Sequence, residues 1–191
     1  GGRTGRPAHP PTDGLTVLTL VALGFHAACH TGLGTVSDAI SRKDICMTKS
    51  LVCLSYDFDA LSIWIAKGLT SPTPLSRGAF GVVGVERILT LLEKEAVPGT
   101  FFIPGHTVET FPDPARAIHA AGHEIGHHGW THRRPSDLSR DDEEAELLRG
   151  LDSLDRIIGV RPTGYRSPAW DLSPHSLDLL IANGFAYDSS L

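Results

Sequence analysis

Cysteine is scarce in this chain: Cys29, Cys46 and Cys53 are the only three in 191 residues, an odd number with no Cys-x-x-Cys spacing. That argues against a disulfide framework and against a zinc site built from cysteine. Cys53 sits in an apolar run and reads as a small buried hydrophobe. No run or stripe of lysine and arginine occurs, and the formal net charge is −5, so nucleic acid is not expected as a partner. Long apolar runs are also missing. The nearest approach, residues 15–29, is short and interrupted by His26, so no membrane span is expected. No segment repeats, and methionine occurs once, at position 47.

What is present is ordinary globular material, 41% hydrophobic and 20% charged, enough to bury the core of one domain. Ten histidines and three tryptophans exceed what packing alone requires at this length. The first 46 residues differ from the rest. Residues 1–14 are rich in Gly, Pro and Thr, and residues 15–29 follow Arg3 and Arg6 as a secretory segment would, with Ala27 and Ala28 near a cleavage point. The alternative is an upstream extension with Met47 as the natural start, since the first clear strand follows directly. That second reading is the working expectation and places the protein in the cytoplasm. The signal reading places it outside the cell.

From Met47 onward strands alternate with helices. Residues 51–58 form an apolar strand ending in acid. Val85, Ile88, Leu89 and Leu92 recur at helical spacing, with Pro98-Gly99 as the stop. Residues 100–103 and 124–127 read as buried strands. Asp113-Pro114 can open a helix that Gly122 closes. Ser139 with Asp142 resembles a capping box ahead of the stripe Leu147, Leu151, Leu154 and Ile158, which Gly159 ends. A strand over 163–167 is followed by Ser173-Pro174 as a helix start, with Leu177, Leu180 and Ile181 facing inward and Gly184 closing. Residues 185–188 begin a further strand. Repeated β-α-β-α predicts an α/β fold with a parallel sheet or barrel. Such a barrel takes about 200 residues or more, so residues 47–191 are expected to be a C-terminally truncated domain.

In such folds the active site gathers where strands end. Asp57 and Asp59 end the first strand, His106 follows the second, His128 and His132 follow the third, and Arg166 ends the fourth. On a helical turn His128 and His132 share one face and can share a metal, and a carboxylate from another strand completes a three-ligand hydrolytic site. Positions 57 and 59 face one side of a strand, so one acid can bind metal while the other acts as base. The plainer alternatives are a surface histidine pair, a pair of capping carboxylates, a structural ion pair at Arg166 and a core role for Trp170. His123 and His127 read as structural or supporting groups.

These residues resemble the polysaccharide deacetylase family, the NodB-homology domain. The family's Thr-Phe-Asp-Asp corresponds to Leu54-Ser-Tyr-Asp-Phe-Asp59. Its His-x-x-x-His element corresponds to Gly122-His-Glu-Ile-Gly-His-His-Gly-Trp-Thr-His132, and its Arg-x-Pro to Gly164-Tyr-Arg-Ser-Pro168. The departures are Phe58 between the acids, Ala60 in place of a Gly-Pro continuation, and Ala169 where an aromatic often stands, with Trp170 next. The stretches Ser76-Arg-Gly78, Pro104-Gly-His-Thr107 and Tyr187-Asp-Ser-Ser190 are similar to a branch that includes peptidoglycan-deacetylase-like proteins and cyclic imide hydrolases. The resemblance implies a distorted (β/α) barrel, Asp59, His128 and His132 as metal ligands, and Asp57 as base. It also implies a general-acid histidine beyond Leu191.

The expectation is thus a metal-dependent hydrolase of non-peptide carbon–nitrogen bonds, with zinc the first choice of ion and cobalt, nickel or manganese permitted. Arg166 would orient Asp57, the Ala169 N–H would help hold an oxyanion, and Arg77, His106 and Trp170 would line the pocket. The substrate is either a small cyclic amide or, for an exported protein, an N-acetylated sugar of peptidoglycan or chitin type. A catalytically silent carbohydrate-binding module is the reading from another class. Oligomeric state is left open.

Overall fold

A computed structural model describes residues 19–21 and 52–190. The expectations for residues 1–46, for Cys29 and Cys46 and for a start at Met47 fall outside the described residues, apart from one short strand. Among the described residues six strands form one sheet in chain order: β1 (Thr19–Val21), β2 (Cys53–Asp57), β3 (Thr100–Ile103), β4 (Glu124–His127), β5 (Gly164–Tyr165) and β6 (Tyr187–Asp188). β1 runs antiparallel to β2, while β2 to β6 are all parallel to their neighbours. Between them lie α1 (Ser62–Ala66), α2 (Pro72–Ala79), α3 (Gly81–Glu95), α4 (Gly105–Thr110), α5 (Pro112–Ala120), α6 (Arg140–Ile158) and α7 (Ser176–Ala182). Parallel strands added one after another, with helices between, make an arc of a (β/α) barrel. No described helix is long and apolar enough to cross a membrane.

Strands buried on both faces read as continuous apolar runs, and β3 and β4 match the expected bounds. Phe101, Phe102 and Ile103 are almost wholly buried; Phe101 and Ile103 join the core of Val85, Leu92, Val108, Ile118 and Leu154 from the helices, while Phe102 turns to the other face, beneath Arg166. On α6 the stripe is as expected: Leu147, Leu151 and Leu154 are buried, and Ile158 packs at the edge. Its cap is also present. Ser139 Oγ accepts from the Asp142 N–H at 3.2 Å, and its hydroxyl donates to the Asp142 carboxylate at 2.8 Å. Gly159, at φ 70°, closes the helix.

Several expectations need correction. Cys53 is exposed, not buried, because it opens β2 outside the core. α3 ends at Glu95, where Ala96 turns left-handed (φ 52°) before Pro98 is reached. α5 opens at Pro112, not Pro114, leaving Asp113 in the first turn. α7 begins at Ser176. Ser173 does not cap it directly but holds a turn, its Oγ accepting from the His175 N–H at 2.9 Å. The inward face of α7 is Ser176, Leu179 and Leu180, whereas Leu177 and Ile181 are exposed. The buried Glu143 carboxylate sets that rotation by accepting from both Ser173 Oγ and Ser176 Oγ at 2.5 Å.

Candidate metal centre

β2 delivers the two acids. Its last residue is Asp57, and Phe58 continues the ladder with an N–H donated to Phe102 O at 3.0 Å while its ring enters the core. Asp59 is then held by its own carbonyl, which accepts from the Ser62 N–H at 3.0 Å, Ser62 Oγ at 2.7 Å and Thr107 Oγ1 at 2.6 Å. Three donors on one carbonyl fix where the carboxylate points.

The histidines lie on the loop after β4. The expected helical turn is absent: Gly129 and His132 both have positive φ, 72° and 61°, which no helix accommodates. Helix ends instead brace the loop. The first N–H groups of α4, which have no partner inside a helix, donate from Gly105 to Gly129 O at 3.0 Å and from His106 to Trp130 O at 2.9 Å. From α6, the Glu146 carboxylate accepts from the Thr131 N–H at 2.9 Å and from Thr131 Oγ1 at 3.0 Å. Gly150 lets α6 come close, since a Cβ there would lie 2.3 Å from His127 Nε2 and 2.7 Å from Gly129 O.

His128 Nδ1 donates to the Arg166 carbonyl at 2.7 Å. A carbonyl only accepts, so Nδ1 carries the proton and the Nε2 lone pair faces the site, the arrangement of a metal ligand. Nε2 lies 3.4 Å from Asp59 Oδ1, and His132 Nε2 lies 3.5 Å from Asp59 Oδ2. The three ligand atoms fall within 4.8 Å of one another. Asp59 Oδ1 is buried and has no hydrogen-bond partner. A carboxylate oxygen facing a nitrogen lone pair calls for a cation. A proton on one ring would answer one contact, whereas a divalent ion answers both and binds all three side chains, so these residues fit a metal. Burial pushes His132 below the ordinary histidine value despite the pull of Asp59.

Arg166 is 2% exposed. Its guanidinium donates to Asp57 Oδ1 at 2.7 Å, Ser55 Oγ at 2.8 Å and Ser189 Oγ at 2.9 Å, and its carbon stands 4.2 Å from the Phe102 ring centroid. The expected orienting contact to Asp57 is therefore present. Its N–H donates to His127 O at 3.0 Å. His127 is buried and neutral, pushed down to about 3 by burial, with Nε2 donating to Leu147 O at 3.0 Å and Nδ1 accepting from the Gly129 N–H at 3.1 Å. His123 Nδ1 accepts from the Gly99 N–H at 3.2 Å. Both histidines are structural.

A cavity of about 880 Å³ opens over the centre. Asp57, Asp59, His128, His132, Arg77, Ala169 and Trp170 all line it. Trp170, 43% exposed, is not core. Four of the five left-handed non-glycine residues among the described residues, Ala60, His132, Ala169 and Trp170, line this cavity as well. Strained backbone of this kind concentrates at functional sites. His106 does not line it. Its ring packs edge-on against Trp130, centroids 6.1 Å apart, because α4 turns that face toward α6. Sequence reading missed Ser55, Ser189, Thr131 and Glu146. Ser55 lay two residues before Asp57 on the same strand face, and Thr131 lay between the histidines. Glu146 carried no signal on a helix rich in acid.

The family model for polysaccharide deacetylase matches residues 79–187, a segment that holds His128, His132 and Arg166 and begins after Asp57 and Asp59. A peptidoglycan deacetylase of Helicobacter pylori is 41% identical over 144 residues, covering 74% of this chain and 49% of that protein. A peptidoglycan deacetylase-like protein of Gibberella zeae is 36% identical over 146 residues, covering 73% and 43%. The crystal structure of a polysaccharide deacetylase-type protein from Mycobacterium smegmatis superposes with a TM-score of 0.67 at 40% identity, covering 73% of this chain and 50% of that one. The chain thus spans about half the length of the curated relatives it matches. With the parallel arc, the acid-ended strand and the histidine loop all in place, this chain belongs to the polysaccharide deacetylase family.

Proposed function

We propose that this chain carries the metal-binding part of a hydrolase that removes N-acetyl groups from sugars, cutting a carbon–nitrogen bond outside peptides. The observation that carries the reading is Asp59 Oδ1, buried without a partner opposite the His128 Nε2 lone pair. Asp59, His128 and His132 would hold the ion, with zinc the first choice for one carboxylate and two imidazoles and cobalt, nickel or manganese tolerated. When bound, the ion supplies a Lewis acid and makes water nucleophilic at neutral pH. Asp57 takes the proton of the attacking water, and Arg166 holds that carboxylate at its working angle. Trp170 and Arg77 would flank the sugar and the Ala169 N–H would help hold an oxyanion, a reading supported by all three residues lining the cavity. The names of the H. pylori and G. zeae relatives support an N-acetylated glycan as substrate.

The test uses full-length protein, stripped with chelator and reloaded with zinc, assayed for acetate release from N-acetylglucosamine oligomers. Release that depends on added metal is expected. Ring opening of small cyclic imides without acetate release would move the substrate to a cyclic amide. Neither activity with stoichiometric metal bound would favour a silent carbohydrate-binding module.

A further inference from the structure

The charge around the cavity is unlike that of the rest of the molecule. The chain is net negative, and most of its described arginines are matched. Arg116, Arg134, Arg140, Arg156 and Arg166 each have a carboxylate within 4.0 Å. Arg87 and Arg149 lie over the rings of Phe80 and Trp130. Among the described residues, Arg77 and Arg133 have neither kind of partner, and both line the cavity, as does the unpaired Lys67. Of the described arginines, Arg161 alone shares that state elsewhere.

Their placement matters as much as their number. Lys67 follows α1 and Arg77 lies on α2, so both belong to the wall that packs beside Ala60 and Trp64. Arg133 directly follows His132 on the other side. The acids of the cavity do not offset them. Asp57 is taken by Arg166, Asp59 faces the two histidines, and Asp137 lies 4.0 Å from Arg134, which also pairs with Asp171 at 2.6 Å. A divalent ion at Asp59 would add positive charge. The aromatic surfaces of Trp64, Phe80 and Trp170 share the same lining and suit the face of a sugar ring. A concave site lined by one sign of charge attracts and orients the opposite sign.

We propose that the substrate is anionic: a sugar bearing a carboxylate beside its N-acetyl group, received by Lys67, Arg77 and Arg133 while the amide faces the metal centre. This rests on the hydrolase reading above. The carboxylate gains charge-assisted hydrogen bonds that a neutral sugar cannot make.

The experiment compares N-acetylmuramic acid with N-acetylglucosamine, which differ by one lactyl ether carboxylate. Binding to zinc-loaded full-length protein is read by calorimetry at low and high salt, alongside acetate release. The acid is expected to bind about tenfold tighter at low salt, an advantage that salt erodes. Lys67→Gln with Arg133→Gln should remove most of that advantage and leave N-acetylglucosamine binding within about twofold. Equal affinities, or no binding of either sugar, overturn the charge inference while metal-dependent acetate release keeps the hydrolase reading. A retained preference for the acid without amide cleavage keeps the charge inference and overturns the hydrolase.

Discussion

Replacing Arg166 with Met tests the centre at the point where fold and chemistry meet. The side chain is 2% exposed and holds three oxygens, at 2.7, 2.8 and 2.9 Å. Met fills much of the same volume over the Phe102 ring, so the loss is mainly electrostatic. Deleting one partner of a buried ion pair costs about 3–5 kcal/mol because the other charge is stranded. Asp57 keeps 17% exposure and thus some water, which puts the cost at the lower end, about 3 kcal/mol. For a domain of this size that lowers Tm by about 6–12 °C. The assay is thermal and urea unfolding of metal-free protein, so that metal binding does not mask the change. Asp57→Asn combined with Arg166→Met removes the stranded charge and should recover part of the loss. A Met variant within about 0.5 kcal/mol of the parent, the scatter of ordinary surface substitutions, or a double variant no more stable than the single one, would refute the reasoning.

Glu146→Ala frees Thr131, which directly precedes His132, and should weaken zinc binding about 10–100-fold in a chelator competition without unfolding the chain. Gly150→Ala forces a Cβ against His127 and the Gly129 carbonyl, and should lower stability by about 1–3 kcal/mol in urea unfolding. Asp59→Asn should abolish stoichiometric zinc in a metal analysis. It should also raise the stability of the metal-free protein by about 1 kcal/mol, because the amide introduced there can donate to the His128 Nε2 lone pair.

The parallel arc was legible because buried strands such as β3 announce themselves as apolar runs between breakers. The rotation of α7 was not. Leu177, Leu180 and Ile181 fit helical spacing as well as Ser176, Leu179 and Leu180 do, and only the carboxylate of Glu143, over thirty positions upstream, selects the second face. The histidine pair was found for a partly wrong reason. A spacing of four suggests one face of a helix, yet the rings meet through left-handed backbone at Gly129 and His132. The two acids separated by Phe58 were read correctly as facing one way, because strand alternation sends the phenyl ring to the core. His106 looked equivalent to the other strand-end groups, but the direction of a helix after a strand is decided by what it packs on, here Trp130.

Arg166 serves the site twice, its side chain on Asp57 and its main-chain carbonyl on His128. The peptide at the end of β5 therefore behaves as a shared hinge-pin: a displacement there carries the proposed base and one proposed ligand in the same direction. For anyone transplanting this centre into another scaffold, the three proposed ligands are too small a unit to move. The graft has to include the ends of β2 and β5 with the loop between Gly129 and His132, or the histidine will arrive in the wrong tautomer.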